Sequence, residues 1–204
     1  MLSEYFETCG GQVNMRPILT YTILVLLLLA LVGCDQITKE LAREELTNAT
    51  PQVLLGGLLR LTYAENPGTF MGLGAGLNEG LRFVIYGVSA IVVLVCLVLL
   101  FAFADRLGRL TSFGACVLLA GASGNLVDRF VNDGRVIDFV VVGAGPLHTG
   151  VFNLADVFIA VGLIIFLFGF RGRQNSGRRS PALPDDRVGE SSAHGNSGAD
   201  QSSM

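Results

Sequence analysis

The sequence predicts an all-α membrane protein of four transmembrane helices, with a small amphipathic β-element on the outer side between the first and second. Three observations carry this. Of 204 residues, 51% are apolar and 15% charged, against about 25% charged in soluble domains. Four stretches reach or approach the roughly 17–25 apolar residues that cross a bilayer as a helix. Strongly polar residues touch those stretches almost only at their ends. The chain then divides into an N-terminal segment, 1–16, a four-helix membrane domain, 17–170, and a polar tail, 171–204.

The first stretch runs from about Pro17 to Cys34, and the second from about Phe83 to Ala104 without a charge. The third covers about Leu110 to Val127, and the fourth about Val151 to Phe170. After the first, ITKELAREEL combines helix formers with mixed charges, so that helix is expected to continue above the membrane. Next, LLRLTYAEN alternates, with Leu59, Leu61 and Tyr63 on one face and Arg60 and Thr62 on the other. That is the period of a half-buried strand, and NPG then turns the chain. The tail has few large apolar residues and cannot repay its ordering entropy, so it is expected to be disordered.

Arginine placement orients the bundle. Arg16 precedes the first stretch, Arg106 and Arg109 fill the short second connection, and Arg171 and Arg173 follow the fourth. The positive-inside rule puts these in the cytoplasm, with both termini. The opposite side carries Lys39, Arg43, Arg60, Arg82, Arg129 and Arg135, mostly in a long loop or beside acids.

Several function classes are disfavoured. A net charge of −3 and the lack of a basic patch interleaved with aromatics argue against nucleic acid. Cys9, Cys34, Cys96 and Cys116 form no CxxC pair and only two histidines accompany them, so no metal site or cofactor is expected. GxSxG, HExxH and phosphate-loop patterns are missing.

An ionisable residue at the mouth of a membrane helix is a functional candidate, because burying it is costly. Four stretches share this property, all on the expected outer side. Asp35 and Lys39, four apart, share a helix face and can pair, although an exposed pair would contribute little. Asn66-Pro67-Gly68 reads by itself as a turn. In GASGNLVDRF, Gly121 and Asn125, and likewise Gly124 and Asp128, make one helix face small and polar, with Arg129 beside it. Such a face serves close helix packing or a site equally well. Asp138 follows in an apolar neighbourhood. Asn153 and Asp156, three apart, are expected on one face of the fourth helix, with Asp156 about one turn inside it. Two carboxylates meeting in a poorly solvated place share a proton. One can then act as base toward water while the other donates to a carbonyl oxygen. A buried structural pair or an ion site is also compatible with the spacing. A small ion-coupled transporter is one alternative and a structural membrane subunit another. Against the transporter, no internal repeat is visible and no helix is interrupted at mid-depth.

In order, D-Q-I-T-K, N-P-G, G-x-x-G-N-x-x-D-R, V-I-D-F and F-N-x-A-D resemble the motif series of the lipoprotein signal peptidases (signal peptidase II), over about Pro17 to Phe170. The resemblance implies an aspartic endopeptidase of the bacterial inner membrane with Asp138 and Asp156 as its catalytic pair. It implies that Asp35, Lys39, Asn66, Gly68, Asn125, Asp128, Arg129, Asn153 and Ala155 shape or support the site. The implied substrate is a diacylglyceryl-modified prolipoprotein met at the membrane lipid, cut on the amino side of its lipidated cysteine, by an enzyme expected to be a monomer. One departure stands out: the family's phenylalanine after the N-x-G motif falls at Met71, with the ring at Phe70.

Leu31-Val32-Gly33-Cys34 itself looks like a lipobox. Its apolar run of about 17 residues exceeds the roughly 7–15 of a signal peptide core, and three further spans follow. Cys34 is therefore expected to stay unlipidated and the first helix uncut.

Overall fold

The computed structural model of the protein describes residues 15–68, 78–144 and 146–177. Four helices in it are long and apolar enough to cross a membrane. The first, α1 (Met15–Leu46), has 32 residues and is therefore about 48 Å long at 1.5 Å per residue. That exceeds the roughly 30 Å hydrocarbon core, and the helix continues through ITKELAREEL to Leu46, as expected. Cys34 lies mid-helix and exposed, in an unbroken α1.

Two helices follow almost without a connection. α2 (Glu79–Leu107) starts at Asn78, whose side chain accepts the Leu81 N–H at 2.8 Å, the usual way to satisfy an orphaned first-turn donor. It ends at Gly108, the single residue before α3 (Arg109–Val131). Gly108 has φ of 83°, a conformation that favours glycine and reverses the chain. The last helix, α4 (Leu154–Gly177), runs past Phe170, so polar residues 171–177 continue it. The tail beyond Gly177 lies outside the described residues.

The sheet expected between the first two helices is present and gains a second half from the α3–α4 connection. Strands β1 (Gln52–Leu54), β2 (Leu59–Asn66), β3 (Val136–Ala144) and β4 (Leu147–His148) lie in that order, antiparallel. Ala64 stands opposite Asp138, and Asn66 opposite Val136, past a register shift between Leu61 and Ala64. Val151–Asn153, expected inside the fourth helix, are not helical. Phe152 pairs with Val140 and extends the sheet to the foot of α4. Backbone pairing outcompetes helix there, and it shifts Asn153 from the helix face to the helix start.

α3 is the buried helix of the bundle, with Cys116 and Ala120 fully covered. The other three expose rows of Leu, Ile, Val and Phe, the surface that lipid covers. α3 and α4 approach through glycines. A Cβ on Gly114, Gly121 or Gly162 would collide with the backbone of the opposite helix. Small faces let helices touch closely where no hydrophobic effect drives them together. Polar groups left at this depth find backbone acceptors: Ser112 Oγ donates to the Ala104 carbonyl at 2.9 Å, and Cys116 Sγ to that of Leu24 at 3.3 Å.

Gly162→Ala should destabilise the bundle by about 1–3 kcal/mol, the usual cost of overpacking. Gly87→Ala, with open space around it, should be neutral or gain roughly 1 kcal/mol from helix propensity. Thermal unfolding of the detergent-purified variants checks the contrast; equal midpoints would mean that α3 and α4 are not in backbone contact.

Candidate active site

The polar interior is organised around one cation. Lys39 on α1 is buried, and its Nζ lies 2.7 Å from Asp35 Oδ2, 2.9 Å from Asp128 Oδ2 and 3.1 Å from Asn125 Oδ1. Its three N–H groups therefore each have an acceptor. The spacing of Asp35 and Lys39 is legible in sequence, but an exposed pair is not what forms: Asp35 is 0% exposed and Lys39 1%.

The other carboxylate bonds tie distant elements to this centre. Asp35 Oδ1 accepts the backbone N–H of Ala155 at 2.9 Å, and Asp128 Oδ2 accepts that of Ile137 at 3.0 Å. Ala155 immediately precedes Asp156, and Ile137 immediately precedes Asp138. The two partners of Lys39 thus each hold the peptide next to one of the two candidate aspartates. Ala155 is fully buried against α3, its carbonyl facing Gly121 and its Cβ facing Gly124. Gln36 completes the centre, donating to Asp128 Oδ1 at 2.9 Å.

Asp156 lies in the first turn of α4. Its N–H donates to Asn153 Oδ1 at 3.0 Å, and its Oδ2 accepts the Asn153 N–H at 3.3 Å, a reciprocal capping box. Its Oδ1 accepts from Asn125 Nδ2 at 2.9 Å. Lys39 and Asn153 Nδ2 both donate to Asn125 Oδ1, so the Asn125 amide can present only its N–H side to Asp156. Asp138, on β3, accepts from Asn153 Nδ2 at 2.8 Å and from Asn66 Nδ2 at 3.0 Å. Burial pushes its carboxyl up to about 6; the charge of Asp156 reinforces this, while the bonds from Asn66 and Asn153 and the charge of Lys39 oppose it.

Asn66 is fixed by its own turn, its Oδ1 accepting the Gly68 N–H at 2.9 Å. Arg129 does not pair with its neighbour Asp128, whose carboxylate faces Lys39. It donates to the carbonyls of Asn125 at 2.9 Å and Gly68 at 3.2 Å and lies over the Tyr86 ring. Tyr86 in turn donates to the Pro67 carbonyl at 2.7 Å. The structure therefore adds Gln36 and Tyr86 to the expected residues. Tyr86 is the one hydroxyl-bearing aromatic in the apolar run of α2 and could have been noticed on that ground; Gln36 carried no signal beyond its neighbours. Phe70 and Met71 lie outside the described residues.

Asp138 and Asp156 line one cavity of about 230 Å³, with Asn66, Asn125 and Arg129 on its polar side and Ile85, Val93 and Ile159 on its apolar side. Among the described residues no group of three or more His, Cys, Asp or Glu is arranged to hold a metal ion.

Fold and site together define a four-span membrane protein with a paired-carboxylate cavity at one end of its bundle. The family model described as Signal peptidase (SPase) II matches residues 27–171. The lipoprotein signal peptidase of Desulforapulum autotrophicum is 35% identical over 156 residues, covering 76% of this chain and 93% of that protein. That of Leifsonia xyli subsp. xyli is 35% identical over 179 residues, covering 84% and 76%. The fold is also similar to a bacterial membrane enzyme solved by the in meso method at 2.3 Å resolution, with TM-score 0.65 and 24% identity over 79% of this chain and 95% of that one. The chain belongs to the signal peptidase II family. The transporter and structural-subunit alternatives find no support.

Lys39→Met should destabilise the protein by about 3–5 kcal/mol, because it leaves buried carboxylates without their counter-charge. Thermal unfolding in detergent reads this out; a midpoint unchanged from wild type would show that the three ions are not a buried unit.

Proposed function

We propose that the chain is a membrane-embedded aspartic endopeptidase that removes signal peptides from diacylglyceryl-modified prolipoproteins, cutting on the amino side of the lipidated cysteine, with Asp138 and Asp156 as its catalytic pair. The observation that carries the assignment of the pair is that both carboxylates line one cavity, inside the segment matched by the family, each held by amide donors. Asp138, pushed up to about 6, holds a proton nearer to neutral pH than an ordinary carboxyl. Asp156 sits in the first turn of α4, its carboxylate held in direction by Asn153 and Asn125.

In the proposed reaction Asp156 takes a proton from water as the water oxygen attacks the scissile carbonyl carbon. Asp138 gives its proton to the carbonyl oxygen. Collapse of the tetrahedral intermediate breaks the C–N bond, the proton taken by Asp156 passes to the leaving amine, and the hydroxyl proton returns to Asp138. No covalent enzyme intermediate is needed. Asn66, Asn125 and Asn153 fix the directions of the two carboxyls. Gly68, Arg129 and Tyr86 hold the turn that bears Asn66, while Asp35, Lys39, Asp128 and Ala155 hold the segments that bear the pair. The apolar side of the cavity suits a lipid-bearing substrate.

Arg106 and Arg109 flank the α2–α3 turn and Arg171 lies near the end of α4, while the cavity opens at the other end of the bundle. The positive-inside rule then supports a site on the outer face of the bacterial inner membrane with both termini cytoplasmic. Exposed Leu55, Leu58 and Leu147 support a sheet resting on the membrane surface. All lining residues fall between Asn66 and Ile159, which supports residues 17–170 as the catalytic unit; its active form is proposed to be a monomer.

Asp138→Asn and Asp156→Asn should each lower cleavage of a diacylated lipobox peptide by at least about 10²-fold, since asparagine cannot cycle a proton, while both variants still insert in membranes. Near-normal turnover by either removes that residue from the pair. Equal cleavage of the unlipidated peptide would contradict the substrate class.

A further inference from the structure

Beside the catalytic cavity, and sharing Tyr86, Leu126 and Arg129 with it, lies a larger one of about 710 Å³ between the start of α2 and the end of α3. Arg82, Arg129 and Arg135 line it, with Asp133 as the one acid. Arg135 is paired with Glu65 at 2.8 Å. Arg82 and Arg129 have no carboxylate partner among the described residues, and the Nε of each is buried without a hydrogen bond there. Glu65 and Asp133 both act on Arg135, so the described residues at the cavity carry one positive charge in excess. A buried guanidinium N–H left unpaired is costly and rare. Both guanidinium groups line the cavity without a carboxylate partner among the described residues, which suits an anionic ligand.

The remaining lining says what carries the anion. Phe83 and Phe130 also border the cavity and are 78% and 71% exposed, on helices that read as membrane spans. The arginines lie where those spans end, at the depth of lipid headgroups. We propose that this cavity binds a phospholipid, its phosphodiester held by Arg82 and Arg129 and an acyl chain lying along Phe83 and Phe130. A phosphodiester carries the single negative charge that the lining lacks, and guanidinium groups match phosphate oxygens in geometry. Basic pockets between transmembrane helices hold lipid headgroups by this chemistry. The diacylglyceryl group of the proposed substrate has no phosphate, so this ligand is a second lipid and its site is independent of the peptidase reading.

Native mass spectrometry of the detergent-purified full chain tests this with three probes: phosphatidylglycerol, diacylglycerol with the same chains, and inorganic phosphate. Wild type should retain one phosphatidylglycerol, and neither other probe should displace it. Arg82→Gln should weaken retention roughly tenfold or more, the effect of losing one charge-assisted hydrogen bond, while Arg60→Gln, outside the cavity, should match wild type. If Arg82→Gln does not fold, Arg82→Lys replaces it and should still weaken retention, because the planar fork is lost. Equal retention of diacylglycerol would make the cavity merely apolar, and displacement by inorganic phosphate would make it a free-anion site. Either result, or wild-type retention by the folded Arg82 variant, overturns the proposal.

Discussion

Lys39 between Asp35 and Asp128 is the interaction on which the rest of the structure depends. Taking three ions out of water costs several kcal/mol each unless every donor and acceptor is matched. Here the ammonium has three acceptors, and both carboxylates also accept backbone N–H groups. What the arrangement secures is position. Asp35 reaches from α1 to the first turn of α4, and Asp128 from α3 to the start of β3. Those are the two places where the chain carries Asp156 and Asp138. A membrane bundle has little hydrophobic drive to hold its helices in one register, so a buried ionic centre at the helix ends does what a packed core does in water.

The two candidate aspartates are treated differently by that frame. Asp156 belongs to a capping box, which ties its direction to the start of a helix. Asp138 sits on a strand, buried, with amide donors on both oxygens. Asn153 touches both, since it caps the helix of one and donates to the carboxyl of the other. The phospholipid cavity proposed next to them uses the same Arg129 and Tyr86 that steady the Asn66 turn. Lipid binding and the shape of the site would then share a wall.

Much of this was legible in the sequence. Hydropathy alone located the four spans, and the polar residues at their ends are those that meet in the site. What was not legible follows from pairing. VIDFVVVGA shows no alternation because the start of β3 is covered on both faces, so it gave no strand signal. Phe152 joined the sheet rather than the helix, which turned Asn153 from a face residue into a cap. Asp128 and Arg129 are neighbours of opposite charge, and nothing in their order says that the acid faces inward to Lys39 while the base reaches for carbonyls. Charge partners across elements are fixed by packing, which one-dimensional spacing does not carry.

The central claim is that burial keeps a proton on Asp138 close to neutral pH, beside an Asp156 held for the opposite role. Infrared difference spectroscopy of the protein in lipid nanodiscs, titrated from pH 8 to pH 4, measures this directly through the carbonyl stretch of protonated carboxyl groups. The account predicts a band that grows in with a midpoint near 6 and is lost in Asp138→Asn. A midpoint in the ordinary aspartate range near 4, or a component with its midpoint near 6 that survives in Asp138→Asn, would contradict it.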